Sequence, residues 1–183
     1  MSLRAAKRGR RTIMLLGFAL LYVGAVLFLN GLWLLGRIQD REIIVINVVS
    51  GFVTLSVAMS SAFGVDADLA SVKAAALTLL FSTTYLWVAY NRTVDVDGRG
   101  LGWFSLFVAI TAVPVALQSF ANSSTALDLW MALNWSAWAV LWFMYFLLLA
   151  LQRPILRQTG IVTLLVGIGT GWLPGFLLLE GLL

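Results

Sequence analysis

Residues 134–143 read NWSAWAVLWF, and the stretch continues to Ala150 without a charged side chain. Its three tryptophans, Trp135, Trp138 and Trp142, are spaced by three and four residues, so a helix places their rings on one face. A second uncharged stretch, residues 79–91 (LLFSTTYLWVAYN), sets Phe81 and Tyr85 one turn apart. Inside a membrane such rings could fill a helix contact, or could wall a narrow path for a small, flat, neutral solute.

Composition indicates a membrane protein. Of the 183 residues, 61% are hydrophobic and only 11% are charged, with a mean hydropathy of +0.97, whereas soluble domains carry about 25% charged residues. Cysteine and histidine are both absent from the sequence. Their absence removes disulfides, thiolate nucleophiles and the commonest catalytic base and metal ligand. We therefore expect no enzymatic activity, no cofactor and no metal site, and we interpret the net charge of +4 as a topology signal rather than a nucleic-acid-binding surface.

Six apolar segments approach or exceed the roughly 20 residues that cross a bilayer. The predicted spans are residues 13–35, 43–63, 70–90, 101–121, 128–150 and 159–182. The fold class is thus an all-α membrane protein, a six-helix transmembrane bundle over residues 13–183 that follows a basic leader over residues 1–12. Pro114 and Pro174 lie inside spans four and six, where we expect packing kinks whose freed carbonyls are satisfied by neighbouring helices.

The charged residues predict an orientation, with one conflict. Arginines occupy the loops after spans one, three and five, namely Arg37, Arg41, Arg92, Arg99, Arg153 and Arg157. The other two loop regions hold only Lys73, so the positive-inside rule places the arginine loops in the cytoplasm and both termini outside. The leader argues the opposite, because it carries Arg4, Lys7, Arg8, Arg10 and Arg11. Either Met14 is the natural start, or the basic leader is translocated; a disordered leader is also compatible with the sequence.

Five stretches in the same order resemble one known family. They are LLGFALLYVGAVLFLNGLWLLG, TLLFSTTYLWVAYN, GLGWFSLFVAITAVP, NWSAWAVLWF and GTGWLPGFLLL. Together they resemble the AmiS/UreI family, small bacterial inner-membrane channels for urea and short aliphatic amides. The resemblance implies six helices, periplasmic termini and a homo-hexameric ring in which every protomer has its own pore. It also implies a functional link to a cytoplasmic amidase or urease.

The resemblance carries the family's pore residues to ten positions. They are Leu16, Leu20, Val23 and Leu27 in span one, Phe81 and Tyr85 in span three, and Trp135, Trp138, Leu141 and Trp142 in span five. The residues alone agree in part, because the four span-one positions and Asn30 follow one helical face. Without the resemblance, that face would be interpreted as helix packing. Trp33, Trp87, Trp103 and Trp130 are expected to belong to interfacial aromatic belts.

Two departures separate this chain from acid-gated urea channels of the family. Those members carry a glutamate in span six, where alignment of GIGTGWLPGF puts Val166, and their periplasmic loops carry histidines. The loops here offer only Asp66, Asp68 and Asp128. The resemblance is therefore closer to the amidase-associated AmiS branch.

A neutral cargo suits this sequence. Ion and proton pathways in membranes display buried ionisable residues, and the interiors of the six spans have none. An amide can be sandwiched by flat rings while Asn, Thr, Tyr, indole N–H groups or backbone carbonyls satisfy its polar atoms. Candidates for those contacts are Asn30, Asn47, Asn91, Asn134, Thr84 and Tyr85, although interhelical hydrogen bonding is the simpler role for Asn47, Asn91 and Asn134. The sequence predicts a passive, non-acid-gated channel for urea or short-chain amides; the alternatives are an acid-gated urea channel, a secondary transporter and a non-conducting assembly subunit.

The first prediction concerns topology. Because arginine accumulates in alternate loops, cysteines placed at positions 37, 99 and 157 should be protected from a membrane-impermeant maleimide in intact cells. A cysteine at position 183 should be labelled. The native chain has no cysteine, so it supplies an unlabelled background. Labelling of position 99 in intact cells would contradict the orientation.

Overall fold

The structure is a computed structural model that describes the backbone of residues 3–183 and the side chains of residues 7–183. Six helical spans confirm the predicted fold class. The first five contain α1 (Leu3–Leu34), α2 (Ile43–Ala62), α3 (Leu69–Val94), α4 (Arg99–Ala121) and α5 (Ala126–Tyr145), with α5 prolonged by a π-helical turn at Phe146–Ala150. The sixth contains α6 (Leu156–Val166), a π-helical segment (Gly167–Trp172) and α7 (Leu173–Leu179). Each span is apolar and has between 20 and 28 residues, which is long enough to cross a bilayer.

The first helix begins well before the predicted span. α1 starts at Leu3, so the basic leader is an extension of the helix as far as the structure describes it. The alanines, lysine and arginines of the leader are good helix formers, and the leader contains no proline that would end the helix. Residues 1 and 2, and the side chain of Arg4, lie outside the described part of the chain. α1 ends where Gly36 adopts a left-handed φ of 72°, a conformation that glycine adopts without steric cost.

The two internal prolines have different effects on their helices. Helix α4 continues through Pro114 from Arg99 to Ala121. Around Pro174 the sixth span changes register, because the π-helical segment ends at Trp172 and the α-helix that follows contains the proline in its first turn. A π-helical turn widens the helix and often accompanies a functional site.

Glycines bring α1 and the sixth span into backbone contact. A Cβ atom added to Gly24 would lie 2.1 Å from the backbone nitrogen of Trp172, and one added to Gly171 would lie 2.4 Å from the nitrogen of Gly24. Gly31 and Gly175 make similar approaches, to Leu164 and Leu21 respectively. Small residues at such contacts allow the close van der Waals packing that drives helix association in lipid.

Polar side chains join the first three helices. The amides of Asn30 and Asn47 hydrogen-bond reciprocally between α1 and α2, at 2.8 and 3.2 Å. Ser82 of α3 donates to the Thr54 hydroxyl of α2 at 2.8 Å. These hydrogen bonds satisfy buried groups that lipid cannot satisfy.

The glycine contact leads to the second prediction. Gly24→Ala should lower the free energy of unfolding by roughly 1–3 kcal/mol, because the new methyl group meets backbone that cannot rotate away. Thermal unfolding of purified protein in detergent measures the effect. Gly169→Ala is the matched control, since a Cβ atom there meets nothing within 4 Å. An unchanged unfolding temperature for Gly24→Ala would contradict the close contact.

Candidate functional site

The ten residues that the resemblance selected lie in a single cluster of packed side chains. Eight are buried within it, and Leu16 and Trp135 pack against its edge while partly exposed. Helices α1, α3 and α5 supply them. The fold therefore brings all ten positions together. Their being packed together is compatible with a role in helix packing and with a role in conduction.

Phe81 is the centre of the aromatic part of this cluster. Its ring lies 4.7 Å from that of Trp142, 4.8 Å from that of Trp138 and 6.1 Å from that of Trp135, measured between centroids. All three contacts are edge-to-face, the arrangement that the charge distribution of aromatic rings favours. Tyr85 lies 6.3 Å from Phe81, with its ring tilted. We call Phe81, Tyr85, Trp135, Trp138 and Trp142 the aromatic cluster.

Three cavities follow one another along the bundle. A cavity of about 240 Å³ opens at the end of the bundle where α1 begins and is lined by Arg8, Leu16, Asp66 and Thr78 among others. We call it the outer cavity, and the words outer and inner here name only the two ends of the bundle. The central cavity, of about 30 Å³, is lined by Leu27, Asn30, Phe81, Tyr85, Ser105 and Trp142 among others. An inner cavity of about 30 Å³ lies near the end of α1 and contains Trp33, Asn91 and Arg92. The central and inner cavities share Val88, Leu101 and Tyr145.

The aromatic cluster walls the central cavity, because Phe81, Tyr85, Trp138 and Trp142 line it, and no member of the cluster lines the outer cavity. Leu16 lines the outer cavity, and Leu27 lines the central one three turns further along α1. Leu20 and Val23 lie between them and are buried in the same cluster as Phe81 and Trp138. The central cavity has room for about one or two water molecules. The outer and central cavities share no lining residue, and the buried side chains of Leu20 and Val23 lie between them.

Two of the three indole N–H groups in the aromatic cluster donate to threonine hydroxyls. Trp138 Nε1 donates to the hydroxyl of Thr170 at 2.8 Å, and Trp142 Nε1 donates to the hydroxyl of Thr84 at 3.3 Å. Below them the Tyr145 hydroxyl is 3.1 Å from that of Thr163. The two tryptophans thus present ring faces and edges rather than free donors.

The hydroxyl of Tyr85 differs from these groups. Its side chain is 2% exposed and lines the central cavity. Among the described residues it is the buried side-chain polar atom without a hydrogen-bond partner. Leaving such a group unpaired is costly, and an unpaired group in a native structure often accompanies water or a ligand.

The predicted polar residues have several roles. Asn30 lines the central cavity while its amide pairs with Asn47. Asn134 donates to the backbone oxygen of Thr170 at 3.2 Å, an interhelical hydrogen bond. Thr84 lies at the central cavity and donates to the carbonyl of Leu80 at 2.7 Å. Asn91 lines the inner cavity.

Sequence reasoning missed the threonines of the sixth span. Thr159, Thr163 and Thr170 are buried, and with Val166 they follow one face of the span at intervals of three and four residues. This regular polar stripe in an apolar segment was the signal that could have identified them. Ser105 and Tyr145, which line the central cavity, had no comparable pattern.

Among the residues whose side chains the structure describes, charged groups line the outer and inner cavities and none lines the central one. At the outer end Arg8 pairs with Asp68, and the backbone N–H of Ser71, together with Arg8, holds the pKa of the Asp68 carboxyl below its ordinary value. At the inner end Asp40 accepts from Arg92 at 3.1 Å and from Trp33 Nε1 at 2.8 Å. The residues that line the central cavity are all uncharged.

Comparison with known proteins agrees with this arrangement. The model of the AmiS/UreI family transporters matches residues 15–182. The chain belongs to the AmiS/UreI family. It is therefore a multi-pass inner-membrane protein of a transporter family, and the family resemblance of the sequence is confirmed.

Individual relatives refine the comparison. A Mycolicibacterium smegmatis protein named as an amidate substrates transporter is 44% identical, over 90% of this chain and 76% of its own length. The acid-activated urea channel of Helicobacter pylori strain J99 is 34% identical, over 90% of this chain and 97% of its own length. The cryo-EM structure of the Helicobacter pylori urea channel in its closed state superposes with a TM-score of 0.79 at 35% identity, covering 92% of this chain and 99% of that one. The higher identity to the amidate transporter confirms the expected closeness to the AmiS branch, and these relatives are named as transporters and channels rather than enzymes.

Proposed function

We propose that this protein is a passive channel that conducts urea and short-chain aliphatic amides through its own six-helix bundle. The observation that carries the proposal is an uncharged, aromatic-walled central cavity aligned between an outer and an inner cavity. The names of the relatives, one for an amidate transporter and one for a urea channel, support this class of cargo.

Desolvation accounts for the preference for neutral solutes. A solute that passes the aromatic cluster loses most of its water, and the cost is far larger for an ion than for an amide. Tyr85, Asn30 and Ser105 offer polar groups in the central cavity, where an amide can recover some of its hydrogen bonds. Weak binding there is an advantage, since conduction requires the solute to leave again.

We further propose that mild acid does not gate this channel. Gating between pH 7 and 5 requires groups that change charge in that interval, and histidine, the usual one, is absent. The Asp68 carboxyl has a lowered pKa and faces Arg8, so it stays ionised throughout. In this respect the channel differs from its relative that is named for acid activation.

Assembly and placement follow the same family argument. We propose a homo-hexameric ring with one pore in each protomer, both termini on the periplasmic side, and a functional link to a cytoplasmic amidase or urease. An exposed apolar face on α4 supports burial against lipid or a neighbouring protomer; it consists of Trp103, Phe107, Ile110, Val113 and Leu117.

Swelling of proteoliposomes tests the channel against the alternative of a non-conducting assembly subunit. Vesicles that contain the protein should swell in iso-osmotic urea, formamide, acetamide or propionamide faster than empty vesicles. The rate should rise linearly with solute concentration and should not depend on an ion gradient. Identical swelling of loaded and empty vesicles would exclude conduction, and a saturable, gradient-dependent flux would indicate a secondary transporter.

The third prediction concerns the aromatic cluster. Trp138→Ala and Trp142→Ala should change amide flux or selectivity by about ten-fold or more, because each removes a ring that lies within 5 Å of Phe81. Flux of urea and propionamide into proteoliposomes measures both quantities.

Trp103→Ala is the matched control for this pair. Trp103 is 57% exposed on α4, so its loss should leave flux unchanged. Trp33 is not suitable as a control, because its indole N–H donates to Asp40 and its ring lies against the guanidinium of Arg92 at the inner cavity. Each variant must elute as a folded species, since truncation of a packed tryptophan can cost about 3–5 kcal/mol. Unaltered flux and selectivity in folded variants at both positions would show that the cluster is packing alone.

The fourth prediction concerns pH. Amide flux in proteoliposomes should change by no more than about two-fold between pH 7 and pH 5, because an ordinary aspartate titrates near 3.9 and histidine is absent. Asp66→Asn, Asp68→Asn and Asp128→Asn should behave alike in this interval. A rise of ten-fold or more on acidification would place the protein with the acid-gated channels, and the aspartate variant that abolished the rise would identify the sensor.

A further inference from the structure

Pro174 leaves carbonyl oxygens of the sixth span without their usual donors. The N–H of Leu173 donates to the carbonyl of Ile168, five residues back. In this register the carbonyl of Gly169 faces Pro174, which has no N–H. In the α-helical register the same proline deprives the carbonyl of Thr170. Which of these two oxygens loses its donor depends on the register, and in either register the deprived oxygen requires a donor from another helix.

Helix α5 supplies both donors from one face. Trp130 Nε1 donates to the carbonyl of Gly169 at 3.0 Å. One turn later the side-chain amide of Asn134 donates to the carbonyl of Thr170 at 3.2 Å. The spacing of four residues places both side chains on the same stripe of α5.

Trp138 continues this stripe by one more turn. Its Nε1 donates to the Thr170 hydroxyl at 2.8 Å, and that hydroxyl donates its single proton to the carbonyl of Val166 at 2.7 Å. The proton is thus committed to the helix, and a lone pair of the oxygen is directed at the indole. Thr170 is 8% exposed and Trp138 is 3% exposed, so water is a poor substitute for either partner.

We propose that Thr170 is a positioning residue that fixes the indole of Trp138 and thereby sets the gap through which solutes pass Phe81. The ring of Trp138 lies 4.8 Å from that of Phe81, so a rotation of the indole changes the shape of the gap directly. Without the hydroxyl, the buried N–H must turn towards another acceptor. The consequence for flux rests on the proposed channel function, whereas the consequence for the indole does not.

The experiment compares three substitutions. Thr170→Val removes the acceptor at nearly constant shape, and Thr170→Ser keeps the hydroxyl. Thr159→Val is the matched control, because Thr159 is also buried in the same span and its hydroxyl donates to the carbonyl of Ile155, four residues before it. Thr170→Ala repeats the test if the valine variant fails to fold.

The first readout is the indole N–H signal of Trp138 in ¹⁵N-tryptophan-labelled protein in nanodiscs, assigned by its loss in Trp138→Phe. The signal should move upfield and exchange faster with D₂O in Thr170→Val, while Thr170→Ser and Thr159→Val leave it in place. A signal that keeps its position and exchange rate in Thr170→Val overturns the proposal.

The second readout is the ratio of propionamide to urea flux in proteoliposomes. Thr170→Val should change this ratio by about three-fold or more, with Thr170→Ser restoring it and Thr159→Val leaving it unchanged. A shifted indole signal with an unchanged flux ratio overturns the role in specificity. If the wild-type protein conducts neither solute, the proposed function fails, and the indole signal still decides whether Thr170 holds Trp138.

Discussion

The whole arrangement depends on the contact between the backbones of α1 and the sixth span. Lipid offers no hydrophobic gain for bringing two helices together, so their association relies on close van der Waals packing. Gly24 and Gly171 remove the side chains that would separate them. Leu20, Val23 and Leu27 of α1, which are buried in the same hydrophobic cluster as aromatic rings of α3 and α5, occupy neighbouring positions on the same helix. The glycine contact therefore fixes how closely the helix that carries them approaches the sixth span.

The sixth span is also constrained where it contacts α5. An irregular segment within a membrane is tolerated where protein satisfies its backbone. The π-helical turn before Pro174 meets this condition because Trp130 and Asn134 donate to its carbonyls. The same stripe of α5 carries Trp138 into the aromatic cluster. One stripe of α5 therefore satisfies the backbone carbonyls of the sixth span and also orients the ring of Trp138.

The aromatic cluster and the polar groups of the central cavity have different roles along the proposed path. Because Trp138 and Trp142 donate to threonine hydroxyls, the aromatic cluster offers flat surfaces and discriminates by shape. The unpaired hydroxyl of Tyr85 and the other polar groups of the central cavity offer hydrogen bonds. A planar, uncharged solute suits both environments, since it fits between rings and needs few replacements for its water.

The sequence by itself determined the class, the six spans and the family. Long uncharged segments can only be buried in lipid or protein, and helical periodicity assigned Trp138, Trp142 and Phe81 to defined faces. Tertiary structure decided the partners of those faces. Hydrogen bonds from Trp130 to Gly169 and from Trp138 to Thr170 join residues more than thirty positions apart, and local periodicity contains no information about which helices become neighbours. The role of Pro174 likewise became visible only when α5 was seen to supply the donors that the proline removes, because a freed carbonyl is satisfied through space rather than along the chain.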